Sequence, residues 1–326
     1  MSDPFVTKNI LKWYDLNKRS LPWRKNVSKE KRQYNTLISE FMLQQTQVAT
    51  VIPYFNKFVK EIPNIKKLAS VDNKKLIKLW EGLGYYSRAR NLKKAAQSVI
   101  KNFNGVIPDN FDDLKSLSGI GDYTANAILA IAFNKPYIPL DGNVERIIKR
   151  YLYLKKEKEI QKENLIEKKS ILGFSNRSSD YAQALMEFGA LVCKPTNPLC
   201  CQCPITKKCK SFKKKDFNLT KNSKKYKDKY FLLKVYKKDQ KYLLIKNNKF
   251  NFLKNLRIFP MEELHNPKKF NKSLNIKLSN MNMNIKILHL KNINKYSSST
   301  WIDQRKINNY MLPTFTKKVV KYLEKN

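Results

Sequence analysis

Four cysteines stand close together near residue 200, spaced Cys193-x6-Cys200-x2-Cys203-x5-Cys209. Four thiolates at such short intervals can close around one iron–sulfur cluster. Four cysteines also make a tetrahedral zinc site, so spacing alone leaves both open. A disulfide framework is disfavoured, because the start, MSDPFVTKN, carries an early acid and no apolar leader core. Cys201 is left over and reads as a bystander. The same loop carries Lys194, Lys207, Lys208 and Lys210, so a metal there would shape a loop facing an anion.

Two carboxyls come next. Glu40 sits inside Ser39-Glu-Phe-Met-Leu-Gln-Gln-Thr-Gln-Val48 among apolar residues. A glutamate on a solvated face is the ordinary reading; burial would instead raise its pKa and let it hold a proton near neutrality. Asp141 lies in Pro139-Leu-Asp-Gly-Asn143, just ahead of a helical pattern. Aspartate is a common N-cap there, and a helix N-terminus would keep it ionised beside a cation. One proton-holding acid and one carboxylate together form the pair that glycosidic bond cleavage needs.

Two glycine-bearing motifs complete the inventory. Leu117-Ser-Gly-Ile-Gly-Asp-Tyr-Thr-Ala125 places Gly119 and Gly121 between two apolar stretches. This is helix–hairpin–helix spelling, in which backbone N–H groups approach a phosphate without a Cβ in the way. Such a contact positions DNA and reads no sequence. In Trp80-Glu-Gly-Leu-Gly-Tyr-Tyr-Ser-Arg-Ala-Arg-Asn-Leu92, glycines, aromatics and arginines interleave. Aromatics can wedge between bases and arginines can hold phosphates; a turn before a basic helix is the plainer alternative.

The elements that must position these groups are mostly helical up to about residue 212. Apolar residues recur at helical spacing in Leu37, Phe41, Val48 and Ile52, and in Val144, Ile147, Ile148 and Tyr151. Residues 213–229 are basic and nearly free of apolar side chains, the composition of a linker. Beyond it, Tyr230–Tyr236 and Lys241–Ile245 read as two strands around a turn at Lys237–Gln240, and Thr314–Leu323 reads as a helix. The expected organisation is a helical domain over 1–212, the linker, and a small α+β domain over 230–326.

Sixty-six Lys and Arg against 26 Asp and Glu leave a formal net charge of +40, which suits a polyanionic partner such as nucleic acid. Lys, Asn and Ile are high throughout, so part of that excess reflects codon bias. No apolar run reaches the roughly 18 residues of a membrane span. Five cysteines, four of them clustered, suit a reducing cytosol.

Taken in order, these motifs resemble the helix–hairpin–helix DNA glycosylases that carry a four-iron cluster, and within them the adenine DNA glycosylases of the MutY type. LPWR (Leu21–Arg24), SEFMLQQTQVATVIPYF (Ser39–Phe55), GLGYYSRARNL (Gly82–Leu92), LSGIGDYTA, PLDGN and the cysteine spacing all fall in family order over residues 10–212. The resemblance implies a mainly α, two-lobed glycosylase domain with an iron–sulfur loop, followed by a Nudix-like α+β domain. It implies a [4Fe–4S] cluster on Cys193, Cys200, Cys203 and Cys209. It implies that Glu40 protonates adenine, that Asp141 stabilises the sugar cation, and that Asn143 and Tyr123 orient the carboxylates and water. Arg24 and Gln45 would lie against the flipped base or its gap. Tyr85, with Leu83, would wedge beside the opposite base, and Gly119 and Gly121 would hold a phosphate.

The implied activity is removal of adenine paired with 8-oxoguanine or guanine in double-stranded DNA, by a monomeric cytoplasmic enzyme associated with the nucleoid. The alternatives are an endonuclease III-like glycosylase/lyase and a DNA-binding protein with a degraded site. The lyase class places a lysine in the hairpin, where this chain has Tyr123, and lacks the MLQQTQ segment. The sequence also departs from the family. No Ser-His pair for reading 8-oxoguanine follows Lys213, the histidines being His265 and His289 after leucines. No Nudix pyrophosphatase helix is visible, and the C-terminal domain is short.

Overall fold

A computed structural model describes residues 3–218, 226–265, 274–278, 280–292, 296, 298–310 and 312–325. The described helices, in chain order, are α1 (Pro4–Asn17), α2 (Lys29–Leu43), α3 (Val48–Glu61), α4 (Ile65–Ser70), α5 (Asn73–Trp80), α6 (Ser87–Asn102), α7 (Phe111–Ser116), α8 (Asp122–Phe133), α9 (Gly142–Leu152), α10 (Lys162–Lys168), α11 (Ser178–Leu191), α12 (Lys210–Lys213) and α13 (Thr314–Leu323). Their starts follow local chemistry. Asp3 caps α1 by accepting the Phe5 N–H at 3.0 Å, with Pro4 opening the helix. Asn64 and Asn110 cap α4 and α7 in the same way, each at 2.9 Å. Asn134 closes α8 in the left-handed conformation.

The chain divides into two compact units, Met1–Asp72 with Ser87–Lys221, and Asn73–Tyr86 with Asn222–Asn326. The units are therefore not the successive blocks that composition suggests, since α5 and the loop after it group with the C-terminal residues. Lys317 of α13 reaches Glu81, just after α5, at 2.9 Å. Of the expected linker over 213–229, residues 219–225 lie outside the described residues. α12 ends at Lys213, and the first strand starts at Lys227.

In the first unit α1, α9 and α11 share a core of Val6, Ile10, Tyr14, Val144, Ile147, Ile148, Leu185 and Phe188. α2 packs on α3, α6 and α8. It buries ten consecutive residues, Gln33 to Met42, so it has no solvated face in that stretch. The series Leu37, Phe41, Val48, Ile52 is split between α2 and α3 by a turn at Gln44–Gln47. No glycine or proline announces that turn.

The second unit is α+β. Its strands are β1 (Lys227–Lys238), β2 (Lys241–Lys246), β3 (Arg257–Ile258), β4 (Met261–Leu264), β5 (Leu274–Leu278), β6 (Met281–Leu290) and β7 (Ser299–Asp303). They form one sheet in the order β3-β2-β1-β6-β5, with β4 also on β1 and β7 on β2. β1 and β6 run parallel from Lys227↔Met281 to Tyr236↔Leu290, and the other pairs are antiparallel. The β1–β2 hairpin turns in two residues, Asp239 and Gln240, with Asp239 left-handed. Alternate residues Phe231, Leu233 and Val235 of β1 face a core closed by Phe315 and Val319 of α13. Among the described residues no helix is long and apolar enough to cross a membrane.

Candidate active site

Glu40 lies three residues before the end of α2 and is only 5% exposed. Its Oε2 is buried with no hydrogen-bond partner among the described residues. Burial pushes its carboxyl up to about 7; the charge of Asp141 adds to this, while the Tyr123 hydroxyl and Arg24 oppose it. A carboxyl so placed carries its proton near neutral pH. The cause is the packing of α2 on every side, stronger than the partial burial the sequence suggests.

Asp141 caps α9, and the capping geometry organises its carboxylate. Oδ1 accepts the N–H groups of Asn143 at 2.9 Å and Val144 at 2.8 Å, and Oδ2 accepts the Asn143 side-chain amide at 2.7 Å. Burial, the largest influence, pushes this carboxyl upward; the three donors and Arg146 pull it back. The helix terminus alone does not keep it low, because burial outweighs it. Three donors still make Asp141 the better seat for negative charge than Glu40. Asn143 is itself held, since its Oδ1 accepts from Arg146 Nη2 at 2.7 Å. Arg146 also donates to the carbonyls of Gly189 and Cys193, both at 2.7 Å. Gly189 permits this approach: a Cβ there would stand 2.5 Å from Asn143 Cβ.

Glu40, Asp141, Tyr123, Asn143 and Arg24 line one pocket of about 210 Å³. That is smaller than the roughly 300–1,000 Å³ of drug-sized sites, a size for a single ring system. The Tyr123 hydroxyl donates to Met186 Sδ at 3.3 Å. Burial, then the nearby Glu40 and Asp141, raise its pKa well above the usual phenol range, so it stays neutral. Arg24 donates to Glu187 Oε2, and Arg19 to Glu187 Oε1 at 2.8 Å through both its backbone N–H and its Nε. Glu187 is 1% exposed; burial works to raise its pKa, but Arg24 and Arg19 outweigh that and leave it low. Sequence reasoning missed Glu187, although its signal matches that of Glu40: one carboxylate in an apolar helical run, Tyr181-Ala-Gln-Ala-Leu-Met-Glu-Phe.

The hairpin glycines differ. Gly119 is left-handed at φ +84°, and a Cβ would meet Asn91 Cβ at 2.8 Å and Phe41 at 3.0 Å, so only glycine fits. Gly121 caps α8 in extended backbone with open space around its Cα. Gln45, in the turn after α2, is exposed and left-handed at φ +56°. In the other unit, Gly82, Gly84 and Tyr85 all have positive φ, and the Trp80 indole donates to the Gly84 carbonyl at 3.2 Å. Tyr85 is 42% exposed whereas Leu83 is buried at 6%. Only Tyr85 of the expected pair is presented at the surface.

Cys193, Cys200, Cys203 and Cys209 line one apolar cavity with Ile147, Arg150 and Phe188, and the exposed Cys201 does not join them. Arg150 Nη1 donates to Cys193 Sγ at 3.5 Å, and Cys209 Sγ donates to the Arg150 carbonyl at 3.6 Å. Burial pushes the Cys203 thiol up to about 12 and raises Cys200 and Cys209. Buried thiols of this kind ionise only with a cation beside them. Among the described residues no three His, Cys, Asp or Glu side chains converge on a point for one ion.

Residues 38–185 match the family described as HhH-GPD superfamily base excision DNA repair protein. The chain is 42% identical over 209 residues to the adenine DNA glycosylase of Buchnera aphidicola subsp. Baizongia pistaciae, covering 63% of this chain and 58% of that one. It is 38% identical over 271 residues to the adenine DNA glycosylase of Buchnera aphidicola subsp. Acyrthosiphon pisum, covering 80% and 75%. The chain thus spans less than two thirds of the first relative's length. The structure of a thermostable thymine-DNA glycosylase superposes with a TM-score of 0.57 at 28% identity, covering 64% of this chain and 95% of that one.

Proposed function

Given that the chain belongs to the HhH-GPD superfamily of base excision DNA repair proteins, we propose that it is an adenine DNA glycosylase. Its substrate is double-stranded DNA with adenine opposite 8-oxoguanine or guanine, and the bond it hydrolyses joins adenine N9 to the sugar C1′. One observation carries the proposal: two carboxyls share a pocket but differ in their surroundings, Glu40 with an unpartnered buried oxygen and Asp141 with three donors. That asymmetry supports Glu40 as the acid and Asp141 as the anion.

The adenosine leaves the duplex at a cost of a few kcal/mol and enters the pocket. Protonated Glu40 gives its proton to adenine N7, and the C1′–N9 bond breaks with its electron pair leaving on the base. Asp141 stabilises the positive charge that develops on the sugar. Water then adds at C1′, and its proton returns to a carboxylate. Asn143 fixes the Asp141 carboxylate, and Tyr123 stays neutral beside Glu40. Arg24, braced by Glu187, forms the wall against the base. The wall carries Tyr123 and, among the described residues, no lysine, which fits hydrolysis without strand cleavage.

Cys193, Cys200, Cys203 and Cys209 would hold a [4Fe–4S] cluster. The four cysteines line one cavity, and their spacing is the one the resemblance ties to a cluster rather than to zinc. Bound there, a cluster would offset the charge of the four thiolates and order the loop that carries Lys207 and Lys210. The second unit is Nudix-like in its mixed sheet with a central parallel pair, and without a Ser-His loop its preference for 8-oxoguanine is reduced and not lost. The test is excision on A:8-oxoguanine and A:G duplexes, with and without alkali. An abasic product that breaks only after alkali is expected, with 8-oxoguanine favoured. Strand cleavage without alkali, or a different released base, would overturn the proposal.

A further inference from the structure

The arginines of the Gly82–Leu92 motif read from sequence as phosphate contacts. Arg88 does something else. It is 7% exposed, and its guanidinium closes on the end of the helix that carries Glu40. Nη1 donates to the carbonyls of Phe41 at 3.1 Å, Met42 at 2.7 Å and Gln44 at 2.7 Å, and Nη2 donates to Thr46 Oγ1 at 3.1 Å. Carbonyls at a helix C-terminus lack intrahelical partners and carry partial negative charge, so a buried cation is well placed there. Two of its four partners lie in the last turn of α2, and the other two, Gln44 and Thr46, lie in the turn that breaks α2 from α3.

Gln45 lies between the clamped Gln44 carbonyl and the clamped Thr46 hydroxyl. It is exposed, with φ at +56°. A non-glycine residue keeps left-handed backbone only where its surroundings over-determine it, and such positions gather at functional sites. Gln44 also leans on the hairpin, its amide 3.5 Å from the Gly119 carbonyl and 3.4 Å from Thr124 Oγ1. Thr46 in turn lines the pocket with Glu40.

We infer that Arg88 is a positioning residue for base extrusion: its fork clamps Gln44 and Thr46 so that Gln45 is held left-handed and outward, ready to fill the gap in the base stack. This rests on the proposed glycosylase reading and on Gln45 as the group that enters the duplex. The fork geometry matters, because Arg88 makes four hydrogen bonds from two nitrogens held in a rigid plane, whereas a lysine offers three donors on one flexible nitrogen and cannot keep all four partners in place. The clamp also links three parts of the site. The same turn touches the hairpin that grips the backbone, the helix that carries the acid, and the residue that replaces the flipped base.

The test measures extrusion directly. A duplex with 2-aminopurine at the adenine position is mixed with full-length protein in stopped flow, and single-turnover adenine excision is measured in parallel. Arg88→Lys should slow extrusion roughly ten- to hundredfold through misplacement of about an ångström. Its melting temperature should fall by only a few degrees, and the pH dependence of the chemical step should not move. Gln45→Gly should slow extrusion by a similar factor, since it removes the inserting side chain and the need for the clamp. In the Gln45→Gly background, Arg88→Lys should cost no more than about threefold, the mark of coupled residues. Should Arg88→Lys fail to fold, Thr46→Val removes the Nη2 partner and carries the same cycle. Additive losses would overturn the role of Arg88 while leaving the role of Gln45 intact. Unchanged extrusion in Gln45→Gly would overturn the reading of Gln45 itself, and the inference with it.

Discussion

Both units bury polar side chains, and the contrast between them marks where the chemistry lies. In the sheet unit each has a local structural task. Asn247 is 1% exposed and ties the following loop, with Nδ2 donating to Phe252 O at 2.6 Å and Oδ1 accepting from Phe250 N at 2.9 Å. Thr316 Oγ1 donates to the Arg257 carbonyl at 2.9 Å, and Asp303 accepts from Arg305 N at 2.9 Å. In the helical unit the buried Glu40 and Glu187 meet the half-buried Tyr123 and Arg24 at one pocket, and one Glu40 oxygen is unpartnered. Burying a polar group without a partner costs stability. At Glu40 that cost falls on a group that can hold a proton, in a pocket with a second carboxyl beside it, and this combination points to chemistry there. The sheet unit has its own unpartnered buried oxygens, on Asn282 and Gln304, but these belong to amides, which hold no proton to give up near neutral pH.

The sharpest way to break this contrast is Glu40→Gln. Loss of the proton donor should lower single-turnover excision by about 10²–10⁴ with DNA affinity kept, and a rate within tenfold of wild type would sink the assignment. For wild type, the protonated acid is lost as pH rises through about 7, so excision should fall across that range. The stability effect has the opposite sense to that of a paired carboxylate. Unfolded glutamate ionises near 4.3, while folded Glu40 holds its proton to about 7. Stability therefore declines as pH rises between those values, by roughly 4 kcal/mol in all. Glu40→Gln should escape that decline and melt higher than wild type at pH 8.

Glu187→Gln probes the paired carboxylate of the same pocket. Removing one member of a buried pair typically costs about 3–5 kcal/mol, so urea unfolding should shift strongly. Excision should fall too, as Arg24 loses its brace. A variant as stable as wild type would mean that Arg19 and Arg24 stay satisfied without it.

The hairpin glycines test whether packing and binding separate. Gly119→Ala should destabilise by about 2–4 kcal/mol, from left-handed strain added to overpacking. Gly121→Ala should leave stability unchanged and weaken duplex binding, if the α8 amides face a phosphate. Equal stability losses in both would undo the distinction. The smallest effect is expected in the sheet unit. Asn247→Ala should cost about 1–3 kcal/mol by leaving loop carbonyls unpaired, and adenine excision per folded molecule should not change. A large loss of excision there would show that the sheet unit shares in the chemistry.

Local patterns made much of this molecule legible in the chain itself. The helix over Thr314–Leu323, the first two strands, the Asp141 cap and the left-handed glycine of the hairpin follow from periodicity and backbone sterics that neighbours in sequence settle among themselves. The cysteine spacing is likewise a local fact. What the sequence could not supply depends on contacts far along the chain. Arg19 meets Glu187 across 168 residues, and Arg88 meets Phe41 across 47. The series Leu37, Phe41, Val48 and Ile52 reads at one helical spacing, yet the helix breaks at Gln44–Gln47, where Arg88 takes carbonyls that a continuing helix would have satisfied itself. Arg88 reads from sequence as a phosphate contact and proves to be buried. The same reason separates the two carboxyls. Residue types and motifs single out Glu40 and Asp141 in the chain. Their unequal proton affinities come only from the folded surroundings: helices packed against every side of α2, and three hydrogen-bond donors converging on the cap of α9.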